Sequence, residues 1–453
     1  MIELASIKRV YLIGIGGIGM SGLARYFHHQ GAVVCGYDKT VTPLTQIMAD
    51  EGIDILYEDD VNLIPLSCQQ KDNATLVIYT PAIPTDSKIL NYFKNHGFEI
   101  HKRSEVLGII SKGMFCIAVA GTHGKTTTSS LITHLFKVGG IDCSAFLGGI
   151  STNYQTNVLF GKADVMVVEA DEYDRSFLTL HPNIAVITSM DADHLDIYGE
   201  EAQLHESIKQ FASQLKADGT LIRKINLPLD GGITYAIDDE SAQSNGKNIV
   251  IKNREFAFDF QNQEISLSNL TLGLPGQHNI ENAVAAIQVA LLMDIKPELV
   301  REGLASFTGV KRRFEYILKE QNQIFIDDYA HHPEELKACF RAVRSLYPEQ
   351  KLTVIFQPHL FSRTKDFAAE FISVLNTADE LLLLDIYPAR ELPIEGVNSQ
   401  MLAYQMNAEK VRVCGKEEAL QIIKNEKPEL LLTVGAGDID TLISPLKNIL
   451  QNV

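Results

Sequence analysis

Met114-Phe-Cys-Ile-Ala-Val-Ala-Gly121-Thr122-His123-Gly124-Lys125-Thr126-Thr127 is the stretch that decides the fold. An uncharged apolar run ends in a glycine turn, and residues 129–138 beyond it carry a helical pattern. Strand, glycine loop and helix in that order are the setting a phosphate-binding loop requires. Its backbone amides cradle phosphates, Lys125 reaches toward the terminal phosphate, and the Thr126 hydroxyl can bind Mg²⁺. The match departs from the general pattern in one respect: the first glycine lies three residues before Gly124, and position 119 is Val. A chance Gly-Lys-Thr turn would need neither the strand before it nor the helix after it. The segment predicts a nucleoside triphosphate site.

Toward the N-terminus, Arg9-Val-Tyr-Leu-Ile-Gly14 and Val33-Val-Cys-Gly-Tyr-Asp38 read as strands, with a helix over 18–30 between them and a later strand at Ala74-Thr-Leu-Val-Ile-Tyr79. Strands alternating with helices argue for parallel βαβ units. Gly14-Ile-Gly16-Gly17-Ile18-Gly19 fits G-x-G-x-x-G, where missing side chains let the backbone approach a pyrophosphate at a helix N-terminus. Asp38 could accept from a ribose hydroxyl. Alone, this element suits NAD or any similar diphosphate, and a ligand-free glycine turn remains the bland alternative.

Downstream, Val165-Met-Val-Val runs into Glu169-Ala-Asp171-Glu172-Tyr-Asp174, four carboxylates directly after a buried strand. Ligands of open α/β sheets sit beyond the carboxyl ends of strands, so Glu169 is a candidate for the metal that bridges phosphates, whereas Asp174 reads as a solvated turn. The next strand end carries Asp191-Ala-Asp193-His194-Leu-Asp196. Imidazole is a soft partner for Mg²⁺, and chemistry alone leaves His194 open. A polar, β-rich stretch follows near 230–272. After Lys311-Arg-Arg-Phe314 the alternation begins a third time, and Leu336, Phe340, Val343 and Tyr347 fall on one helix face. At roughly 150 residues per domain, 453 residues predict about three domains. The expected fold class is α/β: a Rossmann-like domain at 1–112, a central P-loop ATPase-type domain at 113–314, and a Rossmann-like domain at 315–453.

Composition narrows the classes. Forty basic against 57 acidic residues give a net charge of −17, a poor match to nucleic-acid or anionic-membrane binding, which runs on basic patches. No apolar run reaches the ~18 residues of a spanning helix, and the opening residues lack a signal-peptide layout. Cys35, Cys68, Cys116, Cys143, Cys339 and Cys414 are scattered without metal-like spacing and read as reduced thiols of a cytoplasmic protein. Neither a repeat nor a low-complexity tract appears, and monomer and homodimer are both compatible with the sequence.

GTHGKTT at 121–127, EADEYDRSFL at 169–178, DADHLD at 191–196, PGQHNIENA at 275–283 and RRFE at 312–315 together resemble the Mur ligase family, the ATP-dependent amino-acid ligases of peptidoglycan precursor synthesis. The resemblance covers essentially the whole chain, in the order UDP-sugar domain, ATPase domain, amino-acid domain. Asp327-Asp328-Tyr-Ala-His331-His332-Pro333, Phe356-Gln-Pro-His-Leu-Phe-Ser-Arg363-Thr364, Asp385-Ile-Tyr-Pro-Ala-Arg-Glu391 and Val434-Gly-Ala-Gly-Asp438 are similar to the branch that takes L-alanine. The branch that attaches a whole tripeptide shares the His-His-Pro element, but typically has a Glu-Pro-Arg-Ser-like segment where this chain has Phe-Gln-Pro-His.

The resemblance implies roles by position. Gly16, Gly17, Ile18 and Gly19 would hold the UDP pyrophosphate, with Asp38 and Thr80-Pro81-Ala82-Ile83 near the nucleoside. Lys125 would grip the phosphates of ATP, Thr126 and Glu169 one Mg²⁺, and His194 a second. His278 and Asn279 would meet the adenine, Arg313 and Asp328 would complete the ATP site, and His331 and Arg363 would face the amino acid. His332, ahead of Pro333, is not a preferred helix N-cap, so capping is not expected to explain it. Lys209 lies near a position where several relatives carry a carbamylated lysine; a solvated helix lysine is the plainer reading. The implied reaction joins L-alanine to the lactyl carboxylate of UDP-N-acetylmuramate through an acyl phosphate. An NAD-dependent dehydrogenase would leave the P-loop idle, and a nucleotide-gated binding protein would give the third domain no task.

Overall fold

The computed structural model describes residues 4–191, 201–389 and 391–451, without the side chains of Ala5, Tyr173, Asp174 and Glu201. Strands β1 (Arg9–Ile13), β2 (Val33–Tyr37), β3 (Asp54–Leu56), β4 (Thr75–Tyr79) and β5 (Ile100–Lys102) form a five-stranded sheet in the order β3-β2-β1-β4-β5. Every pairing in it is parallel, which is the Rossmann order. A sheet covered on both faces requires apolar residues at consecutive positions. In β1, Val10 and Leu12 enter one core while Tyr11 and Ile13 enter the other. The helix Ile18–His29 starts directly behind the glycine loop.

A second sheet takes β6 (Phe115–Ala120), β7 (Ser144–Ser151), β8 (Thr156–Leu159), β9 (Val165–Glu169), β10 (Ile184–Ile187), β11 (Thr220–Lys224), β12 (Ile233–Ile237), β13 (Ser244–Lys252), β14 (Glu255–Gln261) and β15 (Ser266–Leu272). Its order is β15-β14-β13-β12-β11-β10-β6-β9-β7-β8. The third sheet joins β16 (Glu315–Lys319), β17 (Ile324–Asp328), β18 (Leu352–Phe356), β19 (Glu380–Leu383), β20 (Val411–Val413) and β21 (Leu430–Val434) in the order β16-β17-β21-β18-β19-β20, with β16 antiparallel to β17. The protein is thus α/β and parallel-rich, as its alternating pattern predicts, and the β-rich stretch near 230–272 is β12 to β15. Leu336, Phe340, Val343 and Tyr347 are buried, as their spacing predicts.

Chain contacts divide the molecule into two compact units: residues up to 247 with 259–270 and 281–307, and residues 248–258 with 271–280 and 308–453. The first unit takes all of the expected domain at 1–112 and most of the one at 113–314, while residues 248–258, 271–280 and 308–314 of the latter fall in the second unit. Two local expectations change. The P-loop helix runs Lys125–Val138, starting four residues before the predicted start, because Gly124 at φ +83° ends the loop and serves as its N-cap. His332 does cap the helix Pro333–Leu346: its Nδ1 accepts from Glu334 N at 3.4 Å, while the Glu335 carboxylate accepts from His332 N at 3.3 Å. An imidazole nitrogen accepts as a carboxylate does, so a rare residue type fills a common role. No helix among the described residues is long and apolar enough to cross a membrane.

Candidate active site

In the first unit, β6 ends where the phosphate loop begins. Gly121 takes φ +129° and Gly124 φ +83°, conformations that favour glycine. A Cβ on Gly121 would lie 2.4 Å from Thr188 Oγ1, and one on Gly124 2.6 Å from Asn282 Oδ1. The loop is held from behind: His123 N donates to Ser189 Oγ at 2.7 Å, and Asp191 N donates to Thr122 Oγ1 at 3.1 Å. Thr122 and Thr127 are buried.

The parallel pairing of β6 with β9 sets Val119 opposite Glu169 and so brings the acidic segment beside the loop. Lys125 Nζ donates to Gly121 O at 2.6 Å and to the Glu172 carboxylate at 2.8–2.9 Å. Burial alone would lower the Lys125 pKa, but the carboxylates of Glu172, Glu169 and Asp171 together hold it above its ordinary value. Glu172, 1% exposed, is the lysine's partner; it stands in the quoted motif, yet nothing in the sequence separates it from its acidic neighbours.

Glu169 accepts from Gly148 N at 2.9 Å and is hydrogen-bonded by Thr126. Burial, opposed in part by Lys125 and Thr126, pushes its carboxyl above the usual range. Its charge is under-compensated, and the neighbouring donor set is hydroxyl and carboxylate oxygen, which suits a hard cation such as Mg²⁺. A Cβ on Gly148 would fall 2.2 Å from Glu169 Oε2, so glycine there makes room for the carboxylate. His194, with Asp193 and Asp196, lies outside the described residues. Lys209 is exposed on the helix Glu201–Ser213 and lines a cavity of about 650 Å³ with Leu215, Leu229 and Gly232.

The glycine loop of the first domain is equally tight. Gly14 sits at φ +87°, where a Cβ would lie 2.6 Å from Thr80 Cγ2, and a Cβ on Gly16 would lie 2.8 Å from Asp38 Oδ2. Asp38 accepts from Gly16 N at 2.8 Å and from Thr40 N at 3.1 Å; in this structure it braces the loop. Gly17 is the N-cap of the helix that Ile18 opens. Thr80, Pro81 and Ala82 form the turn against Gly14, with Pro81 and Ala82 exposed. Arg103, which the sequence reading missed, lies where a Cβ on Gly19 would come within 2.6 Å of its Nη1, and it pairs with Asp171 at 3.4 Å. A cation at the positive end of a helix calls for a shared anion.

The second unit holds the remaining candidates. Asp328, at the end of β17, accepts from Phe314 N and Ala330 N, each at 2.7 Å. Burial pushes its carboxyl up to about 6, against the pull of Arg313. Arg313 lies 5.3 Å from the Tyr329 ring centroid, whereas the adjacent Arg312 is tied to Asp327 at 3.0 Å and to Gly435 O at 2.6 Å, a structural clamp. His278 is exposed, and Asn279 is buried with its Nδ2 on Pro275 O.

His331, His359 and Arg363 converge. The two imidazoles meet edge to face at 5.7 Å between centroids, and Arg363 Nη1 lies 3.4 Å from His359 Nδ1. Burial, with help from Arg363, lowers both histidine pKa values, His359 to about 4. His359 stacks on Tyr387; neither was among the expected contacts, although His359 stood in the quoted motif. Leu360, between His359 and Arg363, takes φ +70°, ψ +136°, a strained conformation for a side chain of its kind. The cluster offers a guanidinium and two imidazoles held toward neutrality, a setting for an amino acid's carboxylate and amine.

Three family descriptions match the chain in order: "Mur ligase family, catalytic domain" over 9–114, "Mur ligase middle domain" over 119–290, and "Mur ligase, glutamate ligase domain" over 312–437. The chain is 46% identical over 450 residues to the UDP-N-acetylmuramate–L-alanine ligase of Christiangramia forsetii, covering 99% of each. It is 48% identical over 445 residues to the enzyme of that name from Flavobacterium psychrophilum, covering 98% of each. Its structure is similar to the UDP-N-acetylmuramate-alanine ligase of Thermotoga maritima, with a TM-score of 0.81 at 26% identity and 98% of each chain covered. A murein peptide ligase of Psychrobacter arcticus shares the fold at a TM-score of 0.69 and 20% identity, with 98% of this chain and 99% of that chain covered.

Proposed function

The chain belongs to the Mur ligase family, and from that premise we propose that it joins L-alanine to the lactyl carboxylate of UDP-N-acetylmuramate, with ATP converted to ADP and phosphate, in cytoplasmic peptidoglycan precursor synthesis. The carrying observation is end-to-end similarity to ligases of that name in a chain whose Lys125 sits among Gly121 O, Glu172 and Glu169 at the ends of β6 and β9. The three-domain division at 112 and 314 belongs to the same proposal.

A carboxylate is a poor electrophile; ATP with its magnesium supplies activation as an acyl phosphate and neutralises phosphate charge. The chain's own residues position and exclude. Lys125 and the amides of residues 121–127 hold the phosphates; Thr126 and Glu169 would supply oxygen ligands for one Mg²⁺, and the His194 imidazole a nitrogen ligand for a second. Arg313 and Asp328 contribute to the nucleotide site, and His278 and Asn279 to the adenine. Gly16 to Gly19, with Asp38 and Thr80 to Ala82 behind them, receive the UDP diphosphate beside Arg103. Arg363 parks the carboxylate of L-alanine, and His331 accepts the proton that its ammonium must lose before attack. No covalent nucleophile is required, because phosphoryl transfer depends mostly on positioning and charge.

The test is phosphate release with ATP, UDP-N-acetylmuramate and L-alanine, omitting each in turn. The proposal requires release to depend on both acceptors. Turnover with L-alanyl-γ-D-glutamyl-meso-diaminopimelate and not with L-alanine would assign the chain to the tripeptide branch; saturable NAD binding without UDP-sugar binding would overturn the reading of the glycine loop.

A further inference from the structure

Cys35, in β2, and Cys68, in the short turn Leu66–Gln69, place their sulfurs 2.9 Å apart inside the first domain's second core, among Tyr11, Ile64 and Phe93. Neither belongs to the site described above. A disulfide is about 2.05 Å long, so closing the gap needs less than ~1 Å of movement. We propose that Cys35 and Cys68 are a reversible modification site, a dithiol that a peroxide closes into an intramolecular disulfide.

Cys35 and Cys68 differ from the other thiols in that their sulfurs face each other. Burial pushes Cys116 to about 12, and Cys143 and Cys414 to about 11, which keeps them protonated and inert. Cys68 is instead held below its ordinary value by the hydrogen bond from Cys35, against burial, with smaller help from Ser67 and Arg9. The thiolate is the nucleophile, and here either sulfur that ionises has the other thiol in contact to resolve it. Access comes through the 57–74 connection, which carries only short turns and exposes Leu66 to 80%. Segments of that kind open locally at low cost.

The chemistry balances. The thiolate of one cysteine of the pair attacks one oxygen of hydrogen peroxide, the O–O bond breaks, and hydroxide leaves, taking up a proton as water. The sulfur of the other cysteine then displaces the oxygen of the resulting sulfenic acid as a second water, and the S–S bond forms. Two thiols lose two electrons and two protons, and one peroxide becomes two waters. The bond ties positions 33 apart in sequence, linking the 57–74 connection to β2, which ends at Tyr37, directly before Asp38.

The full-length protein is treated with hydrogen peroxide, alkylated under denaturing conditions and digested. The expected result is a fall from six free thiols to four. A peptide pair linking Cys35 to Cys68, lighter by two hydrogens, should appear and be lost on dithiothreitol treatment. Proteolysis within 57–74 should slow in the oxidised protein and recover on reduction. A count that stays at six, a link between other cysteines, or equal protection after peroxide in a Cys68→Ala variant would overturn the proposal. The wild-type thiol count decides even if the variant folds poorly.

Discussion

Glu172→Gln removes the charge that holds Lys125 while keeping an acceptor in its place. Both side chains are out of water, 1% exposed for Glu172 and 12% for Lys125. Deleting one partner of such a pair outright costs about 3–5 kcal/mol. Glutamine can still accept from Nζ, so the loss is the difference between a charged and a neutral hydrogen bond, about 1–1.5 kcal/mol. Urea denaturation should show that loss. Because the Lys125 pKa is raised above 10.5, the pair contributes fully below that value and weakens only as pH climbs through the folded pKa. The difference between wild type and variant should therefore be flat over about pH 6–9. An incoming phosphate competes with Glu172 for the same ammonium, so the variant should bind a non-hydrolysable ATP analogue roughly five- to tenfold more tightly. Weaker binding would refute the reasoning, since Glu172 would then be supporting the phosphate-bound lysine instead of competing for it.

Gly148→Ala should drive a methyl group into the Glu169 carboxylate, which would sit 2.2 Å away, and raise the magnesium concentration needed for half-maximal activity at least tenfold; an unchanged requirement would separate Glu169 from the metal. Arg363→Lys keeps the charge and loses the two-pronged geometry, so the KM for L-alanine should rise about ten- to a hundredfold, corresponding to roughly 1.5–3 kcal/mol, with the ATP KM little changed. His134 is bonded to Tyr154 at 2.9 Å and to Ser306 at 3.0 Å, and burial lowers its pKa from 6.5 to about 4. The unfolded chain takes up its proton first, so stability should fall by about 2–3 kcal/mol as pH drops from 6.5 toward 4, and urea titrations of His134→Gln should show a shallower slope. Leu360→Gly relieves φ +70° and should stabilise the folded state by about 1 kcal/mol, while the loosened turn raises the L-alanine KM; an unchanged KM would mean that the turn does not aim His359 and Arg363.

Local pattern was enough for the α/β class, the glycine loop, the phosphate loop and the order of the three family segments. Each rests on residues adjacent in the chain: an apolar run that must be a buried strand, glycines that permit positive φ, and a helix that follows at once. Short or polar elements escaped, among them β3, β5 and the edge strand β16, because three to five mixed residues carry no resolvable period. What only the tertiary structure decided concerns pairs far apart in sequence. Four carboxylates stand between positions 169 and 174, and composition cannot rank them. The parallel register of β6 and β9, Val119 opposite Glu169, turns Glu172 toward Lys125 and Glu169 toward Thr126 and Gly148. The same holds for Arg103 over Gly19 and for Cys35 against Cys68. Periodicity is written along a single element, whereas a side chain's partner depends on how separate elements are stacked, and that is settled only when the sheets assemble.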